Sequence, residues 1–151
     1  MEIYLSLGSN LGNRKANILS ATEHLEDFFQ MHCSAKSPIM EFPSWGFEAP
    51  DFLNGVVRFD LPDCGFSPDL YGHALLREIK KIETEAGRVE EVLFSADGKR
   101  IYHNRTIDID ILYMGKEVIE SEDLTVPHPL ISQRDFVKLP LASVVKAKAN
   151  D

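Results

Sequence analysis

The sequence has little of what secreted, membrane-bound or nucleic-acid-binding chains depend on. It holds two cysteines, Cys33 and Cys64, with no CxxC spacing. That argues against a disulfide framework or a thiolate zinc site and sets a reducing cytoplasm as the expected compartment. No apolar run is long enough to span a bilayer. The opening Met1-Glu2-Ile3-Tyr4-Leu5 lacks the basic segment that begins a signal peptide, so none is expected. Positive charge is in deficit: 16 Lys and Arg stand against 24 Asp and Glu, a formal net charge of −8. A general nucleic-acid binder needs a basic face, so that class is disfavoured, while a local basic pocket for a small phosphorylated ligand is not. There is no internal repeat and no linker-like stretch. The 151 residues read as a single domain, 1–151, long enough for a proper core.

What is present is concentrated in Arg105-Thr106-Ile107-Asp108-Ile109-Asp110-Ile111-Leu112-Tyr113. Strict alternation predicts a strand with Ile107, Ile109 and Ile111 on one face and Asp108 and Asp110 on the other. A slip of one residue would bury both aspartates, so the isoleucines fix the register. An isolated DxD is most simply a solvated sheet face. Yet Asp is depleted in strands, and two on one face repel unless something positive lies between them, such as Arg105 or a metal.

The remaining pattern frames that strand. Residues 2–8 alternate as a first strand. Asn13 is a candidate N-cap for an amphipathic helix over roughly 14–30. The Gly8-Ser9-Asn10 turn between them can hold a phosphate or carbonyl with its amides, but plain turn chemistry is favoured. Residues 33–40 form a weak strand that Pro38 places near an edge. Residues 41–50 form a loop carrying Phe42, Pro43, Trp45 and Phe47, which either plugs the core edge or walls a ligand site. Phe52–Leu61 is a third strand, and Asn54 inside it needs partners, which a planar heterocycle or a neighbouring loop could supply. Ser67 caps and Pro68 begins a second helix that ends near Gly87. Residues 89–104 form a long connection with a hairpin tip at Asp97-Gly98, of the size of a lid. A short strand at 117–119 follows the aspartate strand. The chain then reaches Pro127-His128-Pro129 and a short helix from Phe136 to Val145, interrupted by Pro140. The order β-α-β-β-α-β with a C-terminal helical appendage predicts an α+β fold: a ferredoxin-like antiparallel sheet with both main helices on one face.

Asp108, Asp110, Arg88, Arg105, His128 and Arg134 together have the make-up of phosphate-transfer equipment. Carboxylates share Mg²⁺ with substrate phosphates, and arginines offer fork-shaped donors to phosphate oxygens. Each also has a plainer reading. Arg88 can simply meet a helix dipole, Arg134 can be a surface residue, and His128 can pin a loop.

Five segments, in order and spacing, resemble the 6-hydroxymethyl-7,8-dihydropterin pyrophosphokinase family of folate biosynthesis. They are LGSNLGNR at 7–14, PSWGFEAPDFLN at 43–54, IETEAGR at 82–88, RTIDIDIL at 105–112 and LTVPHPLISQRDF at 124–136. The resemblance runs over almost the whole chain. It implies a ferredoxin-like αβα enzyme that moves the terminal pyrophosphoryl unit of MgATP to the pterin hydroxymethyl group and releases AMP. It implies two Mg²⁺ ions on Asp108 and Asp110, with Arg88 and Arg105 clamping the triphosphate and Glu83 an acidic neighbour in the same site. His128 and Arg134 match contacts to the ATP phosphates and ribose, and Ile111, Leu124 and Thr125 fall where adenine is held. On the pterin side it implies Asn54, Phe42, Pro43 and Trp45 at the polar edge, Phe136 and Phe52 as aromatics, and Asp108 nearby. ATP and the pterin would be the partners, with no nucleic acid and no membrane; the oligomeric state stays open, with a monomer favoured.

The sequence departs from the family pattern in places. Phe42 stands where Thr is usual. Val89-Glu90-Glu91 follow Arg88 where basic residues are common, and Lys99 and Arg100 could make up that charge. His103-Asn104 precede Arg105 where Trp and Pro are usual, and the loop is longer than usual. Two other readings stay open: a metal-dependent phosphohydrolase or nucleotidyl transferase using the same DxD, and a binding module without chemistry, which would leave the charged cluster unexplained.

Overall fold

A computed structural model describes residues 1–43, 51–62, 65, 67–87, 93–94, 100–101 and 106–145. At its centre is β1 (Glu2–Ser9), a strand buried along nearly its whole length. It pairs antiparallel with β4 (Phe52–Asp60) on one side and β7 (Asp108–Met114) on the other. Strands β2 (Ala35–Lys36) and β3 (Met40–Phe42) both pair with β4, so the sheet runs β2-β4-β1-β7 with β3 beside β4. The predicted second strand over 33–40 is therefore two short strands. Ser37 divides them: its N–H donates to the Val56 carbonyl and its hydroxyl accepts from Val56 N–H. Pro38 then has no N–H with which to continue the ladder.

Helices α1 (Arg14–Phe29) and α2 (Pro68–Glu85) begin at the predicted caps. Asn13 accepts from Ala16 N–H, and Ser67 accepts from Leu70 N–H with Pro68 in the first turn. At the far end of α2, Ala86 is the right-handed cap residue and Gly87 turns the chain at φ +87°, where the helix end was expected. Both helices lie on one face of the sheet, α1 over β1 and β4 and α2 over β7. Ile3, Leu5, Leu7, Leu25, Phe59, Leu75, Ile79, Ile107, Ile109 and Ile111 form the core between these layers. A smaller cluster lies on the opposite face, where Tyr4, Val56 and Leu112 meet Ile131, Val137, Leu141 and Val144. The last three belong to α3 (Asp135–Ala142) and the turn after it. The fold is thus α+β, an antiparallel sheet with three helices.

The isoleucine alternation holds, but it ends sooner than the sequence suggests. The pairing steps from Leu5–Ile111 to Tyr4–Tyr113, which leaves Leu112 as an extra residue in β7. This bulge reverses the faces, so that Met114 joins Ile111 in the helix-side core while Leu112 stays on the far side. The α3 helix runs through Pro140 instead of breaking there, with the ring buried; it forgoes the bond that the Phe136 carbonyl would accept.

Two small hairpins complete the fold. β5 (Leu93–Phe94) pairs with β6 (Arg100–Ile101), on either side of the expected Asp97-Gly98 tip, which itself lies outside the described residues. β8 (Ile119–Glu120) pairs with β9 (Thr125–Val126), two residues later than the strand expected at 117–119. No helix among the described residues is long and apolar enough to cross a membrane.

Candidate active site

Residues directly opposite one another in a sheet project to the same face. One row across this sheet is Asp108–Gly8–Asn54–Met40, and the next is Asp110–Ser6–Val56. Both aspartates therefore share a face with Asn54, the face that α3 covers only in part. Phe52, two residues before Asn54, lies on that face too, and its partner in β3 is Phe42. The Phe42 ring meets Phe136 of α3 edge-on, with centroids 6.4 Å apart and planes at 65°. The Arg134 guanidinium stands 5.5 Å from the centre of the Phe136 ring.

Asn54 is the polar floor of this region. It is 4% exposed, and its Oδ1 has no hydrogen-bond partner among the described residues. A buried acceptor left unpaired costs stability and is uncommon in folded proteins. Its neighbour explains how the side chain fits: a Cβ on Gly8 would come within 2.6 Å of Asn54 Nδ2. Only glycine at position 8 lets the amide lie across β1. The sequence singled out Asn54 and the Gly8 turn separately; their contact spans 46 positions and leaves no local signal.

The outer edge of β7 is built by two further residues. Glu83 of α2 is buried, and its Oε2 accepts from Ile109 N–H at 3.1 Å. A carboxylate thus completes the edge strand where a sixth strand would otherwise pair. By the antiparallel alternation, the peptide of Ile111 faces outward like that of Ile109, although the Ile111 side chain is core. Further along, His128 N–H donates to the Leu112 carbonyl. Leu124 is buried in the helix-side core and Thr125 is exposed on β9.

His128 Nδ1 accepts from Leu130 N–H at 3.1 Å, which assigns the ring proton to Nε2. Burial pushes its imidazolium below the ordinary range, and the Arg134 charge pushes further. Asp108 pulls the other way. The neutral imidazole is the resident form, with Nε2–H as a donor. Asp108 and Arg134 both lie close enough to His128 to act on its charge.

Arg14 ties together the two flanks of the aromatic loop. It donates to the Asp51 carbonyl at 2.7 Å and to the Glu41 carboxylate at 3.1 Å. Pro43 is exposed at the end of β3. The expectations for Trp45, Arg88 and Arg105 fall outside the described residues. Of the expected Gly8-Ser9-Asn10 turn, Gly8 and Ser9 belong to β1 and Asn10 is buried just after it; Asn17 Nδ2 donates to Ser9 Oγ and to the Leu11 carbonyl. A cavity of about 150 Å³ between α1 and α2, lined by Asn17, His24 and Glu85 among others, takes none of the site residues.

Among the described residues, no cluster of three or more His, Cys, Asp or Glu forms a metal cage. Asp108 and Asp110, on one face of one strand, could hold a cation jointly with a ligand's own oxygens. Carboxylates near a histidine and an arginine, on one sheet face with a phenylalanine-walled amide, have the make-up of a small-molecule transferase site. The family model for 7,8-dihydro-6-hydroxymethylpterin-pyrophosphokinase matches residues 4–146, and the chain belongs to that family. A 2-amino-4-hydroxy-6-hydroxymethyldihydropteridine pyrophosphokinase of Aquifex aeolicus is 39% identical over 143 residues, covering 94% of this chain and 79% of the relative. One from Porphyromonas gingivalis is 39% identical over 144 residues, covering 94% and 89%. The Folic acid synthesis protein FOL1 of Dictyostelium discoideum is 38% identical over 142 residues, and the chain spans 19% of its length.

Proposed function

We propose that the two halves of this sheet face divide the labour of the family's reaction, the transfer of pyrophosphate from ATP to 6-hydroxymethyl-7,8-dihydropterin with release of AMP, a step of folate synthesis. The observation that carries this division is the register: Asp108 and Asp110 share a face with Asn54, in rows that pass through Gly8 and Ser6 of β1. A flat ring on the Asn54 floor would set its hydroxymethyl group toward the carboxylates.

On the ring side, the unpaired Oδ1 of Asn54 would accept from the pterin amide edge, with Phe42, Pro43 and Trp45 along that edge. Phe52 and Phe136 supply aromatic surface for the ring faces. On the nucleotide side, the outward peptide of Ile111, with Leu124 and Thr125, would receive adenine. His128 would donate Nε2–H to a phosphate oxygen, and being neutral it adds no positive charge to repel the metal there. Arg134 adds positive charge toward the phosphates and ribose, and Arg88 and Arg105 would clamp the triphosphate. Glu83 sets the line of β7 through Ile109 and so aims both aspartates.

Asp108 and Asp110 would hold magnesium, two ions in this reading, jointly with the phosphates. The metal when bound neutralises phosphate charge and stabilises the charge that develops during transfer. Everything else the protein does here is positioning and electrostatics, and no side chain need become covalently attached. The sheet order supports a ferredoxin-like split βαβ core to which α3 is added, in a single domain acting in the cytoplasm.

The test is direct. Incubation with MgATP and the hydroxymethyl dihydropterin should yield AMP, and chelation by EDTA should abolish it. Release of ADP or free phosphate in its place would favour the phosphohydrolase reading and defeat this one.

A further inference from the structure

Phe136 is weakly held by its own helix. The residue before α3, Arg134, makes no side-chain capping bond, so the first turn lacks the partner that N-termini ordinarily have. Pro140 has no N–H for the Phe136 carbonyl. The opposite end of α3 is better fixed: Arg58, paired with Asp60 through two bonds, also donates to the Val144 carbonyl at 2.6 Å. Nor is Phe136 in the core; it is half-buried at the edge of the smaller cluster.

Its ring meets the Arg134 guanidinium, from the uncapped start of the same helix, and Phe42, which is firmly placed. Phe42 pairs in register with Phe52, and the residue before it, Glu41, is bound by Arg14. Building on the ring-binding reading above, we infer that Phe42 is a positioning residue that holds Phe136 over the Asn54 floor before any ligand arrives. The edge-on geometry, 6.4 Å and 65°, is the favoured arrangement of an aromatic pair. Ordering one wall of the slot on folding removes that ordering cost from binding. A non-aromatic side chain at 42 therefore weakens pterin binding selectively.

The experiment compares wild type with Phe42→Leu, which keeps apolar bulk without the ring, and Phe42→Tyr, which keeps the ring. Pterin affinity in the presence of a non-hydrolysable MgATP analogue is read by calorimetry, MgATP affinity likewise, and the Phe136 ring by NMR with labelled phenylalanine. Phe42→Leu should weaken pterin binding about threefold to tenfold. It should leave MgATP affinity within about twofold and move the Phe136 ring signals toward averaged positions, while Phe42→Tyr restores all three. Unchanged Phe136 signals in Phe42→Leu, or an equal loss for both ligands, would overturn the inference. A wild type that binds no pterin even with the MgATP analogue would refute the ring-binding reading instead, and the Phe136 signals would then decide the positioning role by themselves.

Discussion

Replacing Asn54 by leucine should make this protein more stable and far less active. The side chain is buried, and its Oδ1 has no partner among the described residues. An unsatisfied buried acceptor costs about 1–3 kcal/mol, and leucine, with the same branching, removes it. Against this stands overfilling, which also costs about 1–3 kcal/mol in a tight core. Overfilling is the smaller effect here, because the branch lies over Gly8, where no Cβ stands and an Asn54 nitrogen already fits. A net gain of about 1 kcal/mol follows, or roughly 2–4 °C in Tm for a chain of this size. Pterin binding moves the other way. Each ring-edge donor left buried without its acceptor costs about 1–3 kcal/mol, so kcat/KM for the pterin should fall about tenfold to a hundredfold. Thermal melting and steady-state AMP release measure the two effects separately. A Tm that falls while turnover holds would refute the argument, because Asn54 would then be a satisfied structural residue and not a site waiting for a ligand.

Three more perturbations have definite outcomes. Asp110→Ala should lower AMP formation at least about a hundredfold and leave urea stability within about 1 kcal/mol, since the side chain is half-exposed; full turnover in a folded variant would remove Asp110 from the metal role. Glu83→Leu should cost about 1–3 kcal/mol by orphaning Ile109 N–H, and Glu83→Gln, which keeps an acceptor, clearly less; equal shifts in the urea midpoint would show that the bond to Ile109 is not what matters. His128 and His73 should have pKa values displaced in opposite directions. His128 is held down by burial and by Arg134, so the unfolded chain binds more protons just below the ordinary value of about 6.5. Its contribution to stability is present above about pH 6.5 and is lost as pH falls through its folded value. His73 is held up by the Asp69 carbonyl and the Asp123 carboxylate, so its contribution is present below about pH 6.5 and fades as pH rises through its folded value. An NMR titration in which His128 protonates at higher pH than His73 would contradict both assignments.

The sequence makes legible whatever depends on local period and local caps. The alternation of Ile107, Ile109 and Ile111 against Asp108 and Asp110 names the buried face and the carboxylate face before any coordinate. Asn13 and Ser67-Pro68 mark helix starts because capping is a matter of three or four residues. What escapes is set by contacts between distant segments. Nothing near Gly8 indicates that Asn54 will lie across it, and nothing near Glu83 indicates that its carboxylate will complete β7 at Ile109. The bulge at Leu112 escapes because leucine suits either face, so the pattern reads on unbroken while the pairing has slipped. Pro140 misleads for a related reason: a proline breaks a helix by default, but eight residues packed on a sheet can forgo one bond.

The change of residue type along β7 also accounts for the open sheet face on which the site is proposed. Up to Ile111 the helix-side face of β7 is isoleucine and the opposite face is aspartate, so α3 cannot pack over that end without burying two charges. At Leu112 the far face becomes apolar, and there the α3 cluster begins, with Leu112 joining Tyr4, Val56 and Val137. The roof therefore stops where the carboxylates start. The open ground beyond it is bounded by the strand row Asp108–Gly8–Asn54 and by Phe136, the outermost aromatic of the roof. An aspartate pair on a half-roofed sheet is thus forced to face either solvent or a ligand. The unpaired Oδ1 of Asn54, in the row of Asp108, favours the ligand proposed above, because solvent reaching the aspartates does not reach it.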